Sequence, residues 1–286
     1  LWKSIQRFNV EKIDCYICVP EKDLHLFRDR IHDAEGYLHW VTDEEIIDLH
    51  PDKNSIEFYR GWDGRLSQQV IKAEFWRYLN GNNLRDASYL CLDSESVFVK
   101  NFKASDFMYS EDIPYTVMHQ NKDLLQLAEN KGIKKVSNHF HDDCLMMKQV
   151  FNRSGQDYDF GPTPVIWSCK VWRNLDEKYF TPLSKTIWEA IKEKPSELRW
   201  YGEALLHFQS IPIHPIEPIF RVYHYDWQYF SLKSQGETMD TISREYFGYL
   251  KQSSWEYEVD YGSQASRKSI ASKCLRVIKR FFAQYR

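Results

Sequence analysis

The sequence lacks any run approaching the ~18 apolar residues of a membrane span, which excludes a chain built of membrane-crossing helices. No signal peptide is visible either, so the expected compartment is the cytoplasm. The chain opens on Leu1-Trp2 without Met, and its start need not be the natural one. It also lacks a dominant charge. Lys and Arg number 38 against 41 Asp and Glu, a net charge of −3, which gives no overall electrostatic reason to expect nucleic acid. A cysteine framework is missing too. Of six cysteines only Cys15 and Cys18 are closely spaced, in "KIDCYICVP". That segment reads as a strand, where residues three apart point to opposite faces. That geometry favours buried thiols in a reducing compartment over a zinc or redox pair. There is no internal repeat and no low-complexity linker. One domain over residues 1–250 is expected, followed by a basic helical appendage over 251–286.

What is present is apolar and aromatic. Hydrophobic residues make up 43% of the 286 and aromatic ones 16%, enough for a substantial core and for a lined cleft. Element types alternate along the first hundred residues. "KIDCYICVP" and "YLHWVT" read as strands, and "EKDLHLFRDRIH" between them has helical spacing at Leu24, Phe27 and Ile31. "SQQVIKAEFWRYLN" predicts a helix with Ser67 as N-cap, a buried stripe of Ile71, Phe75 and Leu79, and a stop at Asn80-Gly81. "SYLCL" follows as a strand apolar on both faces, as central strands of α/β sheets are. The alternation predicts a mixed, mostly parallel α/β sheet flanked by helices in a single Rossmann-like domain.

Farther on, "FGPTPVIWSCKVWRNL" predicts a turn, a strand and a helix start. "LSKTIWEAIKEK" and "SELRWYGEALLHFQ" are helical in spacing. "IPIHPIEPIFRVYHYDW", with prolines at 212, 215 and 218, is extended backbone.

Within "SYLCLDSESVFVKNF" the greasy run stops at Asp93-Ser94-Glu95 and resumes with Val97-Phe98-Val99. Ionised carboxylates are costly to bury unless paired, hydrogen-bonded or bound to a metal. They fall at the carboxyl end of the expected central strand, where open α/β sheets bind ligands. A D-x-E pair by itself is also an ordinary solvated turn.

The stretch "SQQVIKAEFWRYLNGNNLRDASYLCLDSESVFVKNF" resembles the segment of GT-A-fold glycosyltransferase-like proteins in which a Gln-Gln-x-x-Lys helix precedes a strand ending in Asp-Ser-Asp. "FGPTPVIWSCKVWRNL" and "SELRWYGEALLHF" resemble two further blocks of the same group, whose members are often labelled only DUF6492. Together the blocks cover most of residues 60–210, with Glu95 standing where the group has Asp. The resemblance implies a GT-A-like fold and transfer of a sugar from a nucleotide-diphosphate donor to a hydroxyl of a glycan or lipid-linked acceptor. It further implies that Asp93 and Glu95 hold Mn²⁺ or Mg²⁺, with His224 as a late metal ligand. Gln69, Lys72, Asp93, Ser94, Glu95 and Thr163 would meet the donor, and Glu197 would be the general base. Each has a plainer explanation: first-turn polar residues for Gln69 and Lys72, a turn for Thr163, a helix cap for Glu197, a packed core residue for His224. Glu203, six residues beyond Glu197, cannot share its helix face, so at most one of the two enters the cleft. Asp226 is a reserve candidate.

Two other functions are open on the sequence. "NHFHDDC" places His139 and His141 on one face if it is a strand, and with Asp143 they suggest a metal-dependent hydrolase. Asp142 and Asp143 also read as helix capping. A non-catalytic glycan-binding relative is the second alternative. The tail after Gln264 carries seven Lys or Arg and no acid, with Ile270, Cys274, Val277 and Phe281 along one helical face. It suits either peripheral contact with an anionic membrane or a docked terminal helix.

Overall fold

The computed structural model describes residues 1–33, 35–52, 61, 64–194 and 196–252. The basic appendage expected over 251–286 therefore lies outside the described residues, apart from its first two positions. The chain opens with α1 (Trp2–Phe8), β1 (Cys15–Val19), α2 (Leu24–Arg28), β2 (Leu38–Thr42) and α3 (Asp43–Asp48). The long α4 (Gly64–Gly81) and β3 (Ser88–Cys91) follow, then the short strands β4 (Val97–Phe98) and β5 (Thr116–Val117). Two helices come next, α5 (Lys122–Asn130) and α6 (Lys134–Val150), and then β6 (Val165–Ser168), α7 (Cys169–Leu175), α8 (Ile187–Glu193) and α9 (Glu197–Phe208). The described chain finishes with β7 (Pro215–Ile216), β8 (Phe220–Tyr223), α10 (Asp226–Ser234), α11 (Met239–Glu245) and β9 (Gly248–Lys251). No described helix is long and apolar enough to cross a membrane.

The architecture is mixed α/β, with its strands divided among small ladders. Parallel pairing joins β1 to β2, β5 to β7 and β8 to β9, whereas β9 meets β4 and β3 meets β6 antiparallel. The expected central parallel position of β3 is thus corrected, since its ladder partner is the antiparallel β6. Strand–helix alternation fixes the order of elements but leaves open which strand each one pairs with. A long excursion through β4, β5, α5 and α6 separates β3 from β6 and lets β6 return in the opposite sense.

The two-faced apolar character of "SYLCL" has a direct counterpart in the packing. Tyr89 and Cys91 face the main core with Val165 and Trp167, while Leu90 and Leu92 face a second core with Ile166. Alternate side chains of a strand point to opposite sides, so this small ladder divides two hydrophobic clusters. Cys18 packs on the main core and Cys15 on the second, as their strand spacing requires, and both are free thiols. Burial pushes the Cys15 thiol up to about 11.

α4 buries Ile71, Phe75 and Leu79 in the main core, the stripe its spacing predicts. The helix starts at Gly64, so Ser67 lies inside it and is not its cap. Glu74, wholly buried, accepts from Arg77 Nε at 2.5 Å and from Trp188 Nε1 at 3.1 Å, which satisfies its charge and ties α4 to α8. The helix expected over "EKDLHLFRDRIH" shrinks to the five residues of α2, whose Phe27 is 41% exposed, so its predicted apolar face is not a core face.

One contact locks the loop before β6 onto α9. Phe160 occupies the space where a side chain at Gly202 would stand, and a Cβ there would overlap its ring. Alanine would ordinarily improve a helix interior by ~1 kcal/mol over glycine. Here overpacking, typically 1–3 kcal/mol, outweighs that gain. Gly202→Ala is expected to lower the midpoint of thermal unfolding by up to roughly 8 °C, measured by circular dichroism; an unchanged or higher midpoint would show that the ring moves aside freely.

Candidate functional site

The antiparallel register decides which residues meet. Cys91 at the end of β3 pairs with Val165 at the start of β6. The residues just past β3 therefore face those just before β6. Asp93 lies on the first side and Thr163 on the second, and the Thr163 hydroxyl donates to Asp93 Oδ2. The turn after β3 is closed by the Ser96 amide donating to the Asp93 carbonyl at 3.0 Å. Lys72 reaches the same place from α4. Its Nζ donates to Asp93 Oδ1 at 2.5 Å and to Glu197 Oε1 at 3.3 Å. Glu197 is the first residue of α9, capped by Ser196, whose hydroxyl accepts from the Arg199 amide. Two carboxylates thus converge on one ammonium, and four separate parts of the chain meet in the cluster, Thr163 joining through Asp93.

The charges in this cluster are partly desolvated, with Lys72 17% exposed, Asp93 25% and Glu197 8% at the side chain. Burial alone would pull the Lys72 pKa down. The charges of Glu197 and Asp93 outweigh it and hold the ammonium above the ordinary lysine range. Cys91 lies against the same group, and burial raises its thiol to about 12 despite Lys72. The arrangement can hold an anionic ligand group at the lysine, accept hydroxyl donors at the carboxylates and, at Glu197, accept a proton.

Other residues singled out in the sequence are dispersed. Ser94 and Glu95 are exposed, and the Ser94 hydroxyl donates to Glu95 Oε2 at 3.3 Å. Gln69 is one helical turn before Lys72 and half-buried. Glu203 turns away from the cluster to a two-pronged pair with Arg153, at 2.6 Å on each oxygen, so Glu197 is the acid of α9 that enters the site. His224, just past β8, feels Asp159 and His119, and burial pushes its pKa down against the pull of Asp159. Asp226 opens α10 and accepts from the Trp227 amide at 2.7 Å.

"NHFHDDC" lies within α6, which corrects both the shared strand face of His139 and His141 and the capping by Asp142 and Asp143. His139 faces Asp143 one turn along at 3.5 Å, while His141 turns to Asp157 at 2.8 Å. Among the described residues no three His, Cys, Asp or Glu side chains converge as a ready metal set.

The sequence did not reveal what holds the Thr163 loop. The His119 ring meets the Gly161 carbonyl at 2.6 Å, and Asp159 accepts from the Gly161 amide at 3.2 Å and from Asn121 Nδ2 at 2.5 Å. The Asp159-x-Gly161 spacing is a local turn signal. His119 gives none, being 42 residues away.

A raised lysine pKa leaves less free amine at any alkaline pH. In competitive acylation at pH 9, Lys72 is expected to react at least ~10-fold more slowly than the exposed Lys131 and Lys134, one pKa unit being tenfold. Glu197→Gln removes one of the two charges responsible and should speed Lys72 labelling at unchanged burial. Mass spectrometry reads both, and equal rates in the two proteins would deny the Lys72–Glu197 pair.

Residues 1–233 fit the family model described as "Family of unknown function (DUF6492)". No curated protein matches. The matched span includes Lys72, Asp93, Thr163 and Glu197 and ends within α10. The chain therefore belongs to the DUF6492 family, whose function is unknown.

Proposed function

We propose that this protein is a GT-A-like glycosyltransferase, moving a sugar from a nucleotide-diphosphate donor to a hydroxyl of a glycan or lipid-linked acceptor. The observation that carries the proposal is the convergence of Lys72, Asp93, Thr163 and Glu197 on one partly buried cluster. These are residues that the resemblance assigns to donor binding and to the base.

Lys72 is placed to bind the donor's diphosphate, where a fixed ammonium in a water-poor site stabilises charge as it develops. A phosphate drawing on Lys72 loosens its longer contact, the one to Glu197. Glu197 then accepts the acceptor hydroxyl's proton as the new C–O bond forms and the sugar–phosphate bond breaks. The bonding pair leaves with the diphosphate. Thr163 holds Asp93 in place throughout.

The donor set also fits a hard dication. Asp93 and Glu95 offer oxygen ligands, and Glu95 stands open to solvent. Mg²⁺ and Mn²⁺ commonly take one or two carboxylates and complete their shells with water and substrate phosphate. Such an ion, when bound, would offset charge on the leaving diphosphate. His224, beside His119 and Asp159, stands outside this set in the proposal.

A thermal-shift panel of nucleoside diphosphates with and without Mn²⁺ tests the proposal. Stabilisation by a nucleotide only when Mn²⁺ is present is expected. Stabilisation by glycans alone would favour a non-catalytic binding protein, and by zinc alone a hydrolase. Asp93→Asn and Glu95→Gln are each expected to abolish the metal-dependent nucleotide response and keep the circular dichroism spectrum. Glu197→Gln is expected to cut transfer by roughly 10²-fold or more at near wild-type donor affinity, the scale of losing a general base. Normal turnover in that variant would move the base elsewhere.

A further inference from the structure

One buried polar atom a helical turn from Lys72 has no partner among the described residues. Gln69 precedes Lys72 by three residues on α4, so the two side chains stand on neighbouring parts of one helix face. Gln69 Nε2 donates only at 3.4 Å, to the Arg65 carbonyl. Its Oε1 is shut off from solvent and accepts nothing from the described residues. Desolvating an amide oxygen without a hydrogen bond works against folding, and an apolar side chain of the same shape would fill the position at no such cost. The fold therefore has no use for this oxygen in the unliganded state. The final side-chain torsion of a glutamine is broad, and the long contact at Nε2 does little to hold it. The amide can thus turn its oxygen toward a molecule seated at Lys72.

We infer that Gln69 is a specificity-determining residue, whose amide oxygen accepts from an N–H or O–H group of the same ligand whose phosphate is held by Lys72. This rests on the nucleotide-sugar reading of the site. The shared chemistry is a hydrogen-bond donor close to an anionic group, and two parts of such a ligand supply it: the nucleoside, or the sugar's hydroxyls. A site built around such a bond discriminates against ligands that lack the donor, because the buried acceptor is then left unpaired.

Calorimetric titration of the full chain in Mn²⁺ with UDP, GDP, UDP-glucose and GDP-mannose tests the inference. Wild type is compared with Gln69→Met, which keeps the volume and removes the acceptor, and with Gln68→Met on the exposed neighbour. Gln69→Met is expected to weaken the probe that wild type binds by about 5- to 100-fold. Its unfolding midpoint without ligand should be no lower than wild type, and Gln68→Met should bind as wild type. Weakening seen already with UDP or GDP assigns the donor group to the nucleoside. Weakening confined to the sugar nucleotides assigns it to a sugar hydroxyl. Unchanged affinity in Gln69→Met overturns the inference and leaves the nucleotide reading standing. A clear fall in its ligand-free unfolding midpoint also overturns it, by giving Gln69 a structural role. Failure of wild type to bind any probe overturns the nucleotide reading, and this inference with it.

Discussion

The site depends on a single positive charge shared between two carboxylates. Lys72 meets an acid 21 residues later in the chain and another 125 residues later. Without the ammonium, Asp93 and Glu197 would be like charges facing each other in a partly dry pocket, an arrangement proteins avoid by protonation or by moving apart. The lysine therefore holds α4, the turn after β3 and the start of α9 in mutual position. The cluster is also balanced for exchange: the contact to Asp93 is short and the contact to Glu197 longer. A competing anion would meet less resistance on the Glu197 side.

Beneath the charge lies a backbone cause. The β3–β6 ladder divides two hydrophobic cores, each claiming alternate side chains of both strands. A shift of one residue would send Trp167 and Ile166 to the wrong cores, so the register is strongly fixed. Thr163 and Asp93, just beyond the paired ends, inherit that precision. Gly202 extends it by admitting Phe160 against α9, which anchors the loop carrying Thr163. Polar groups of the site are thus placed by apolar packing on either side of a short ladder.

Much of this was legible in the sequence because it rests on periodicity. The stripe of Ile71, Phe75 and Leu79, the two-faced β3 and the opposite faces of Cys15 and Cys18 all follow from spacings of 3.6 or 2. What failed depended on pairing or on length. Alternation of strands and helices suggested a parallel partner for β3, yet pairing is a long-range choice made by the two cores. "NHFHDDC" was read with period 2 and folds with period 3.6, inside a 17-residue helix whose caps lie well outside the motif. The face of α2 was overread because five residues make little more than one turn. The convergence on Lys72 was legible in its members but not in its geometry, since no local pattern reports a contact 125 residues away.

The placement of β9 bears on how the molecule can be handled. This late strand lies between β4 and β8, pairing with one on each side. The family match stops at residue 233, before β9 begins. A shortened gene product trimmed to the matched span would keep the whole Lys72 cluster and lose the strand that closes its neighbouring ladder. It would then present two open edges with unpaired amides and carbonyls, each a template for another chain. Aggregation of such a fragment would report those bare edges, and not a defect of the site itself.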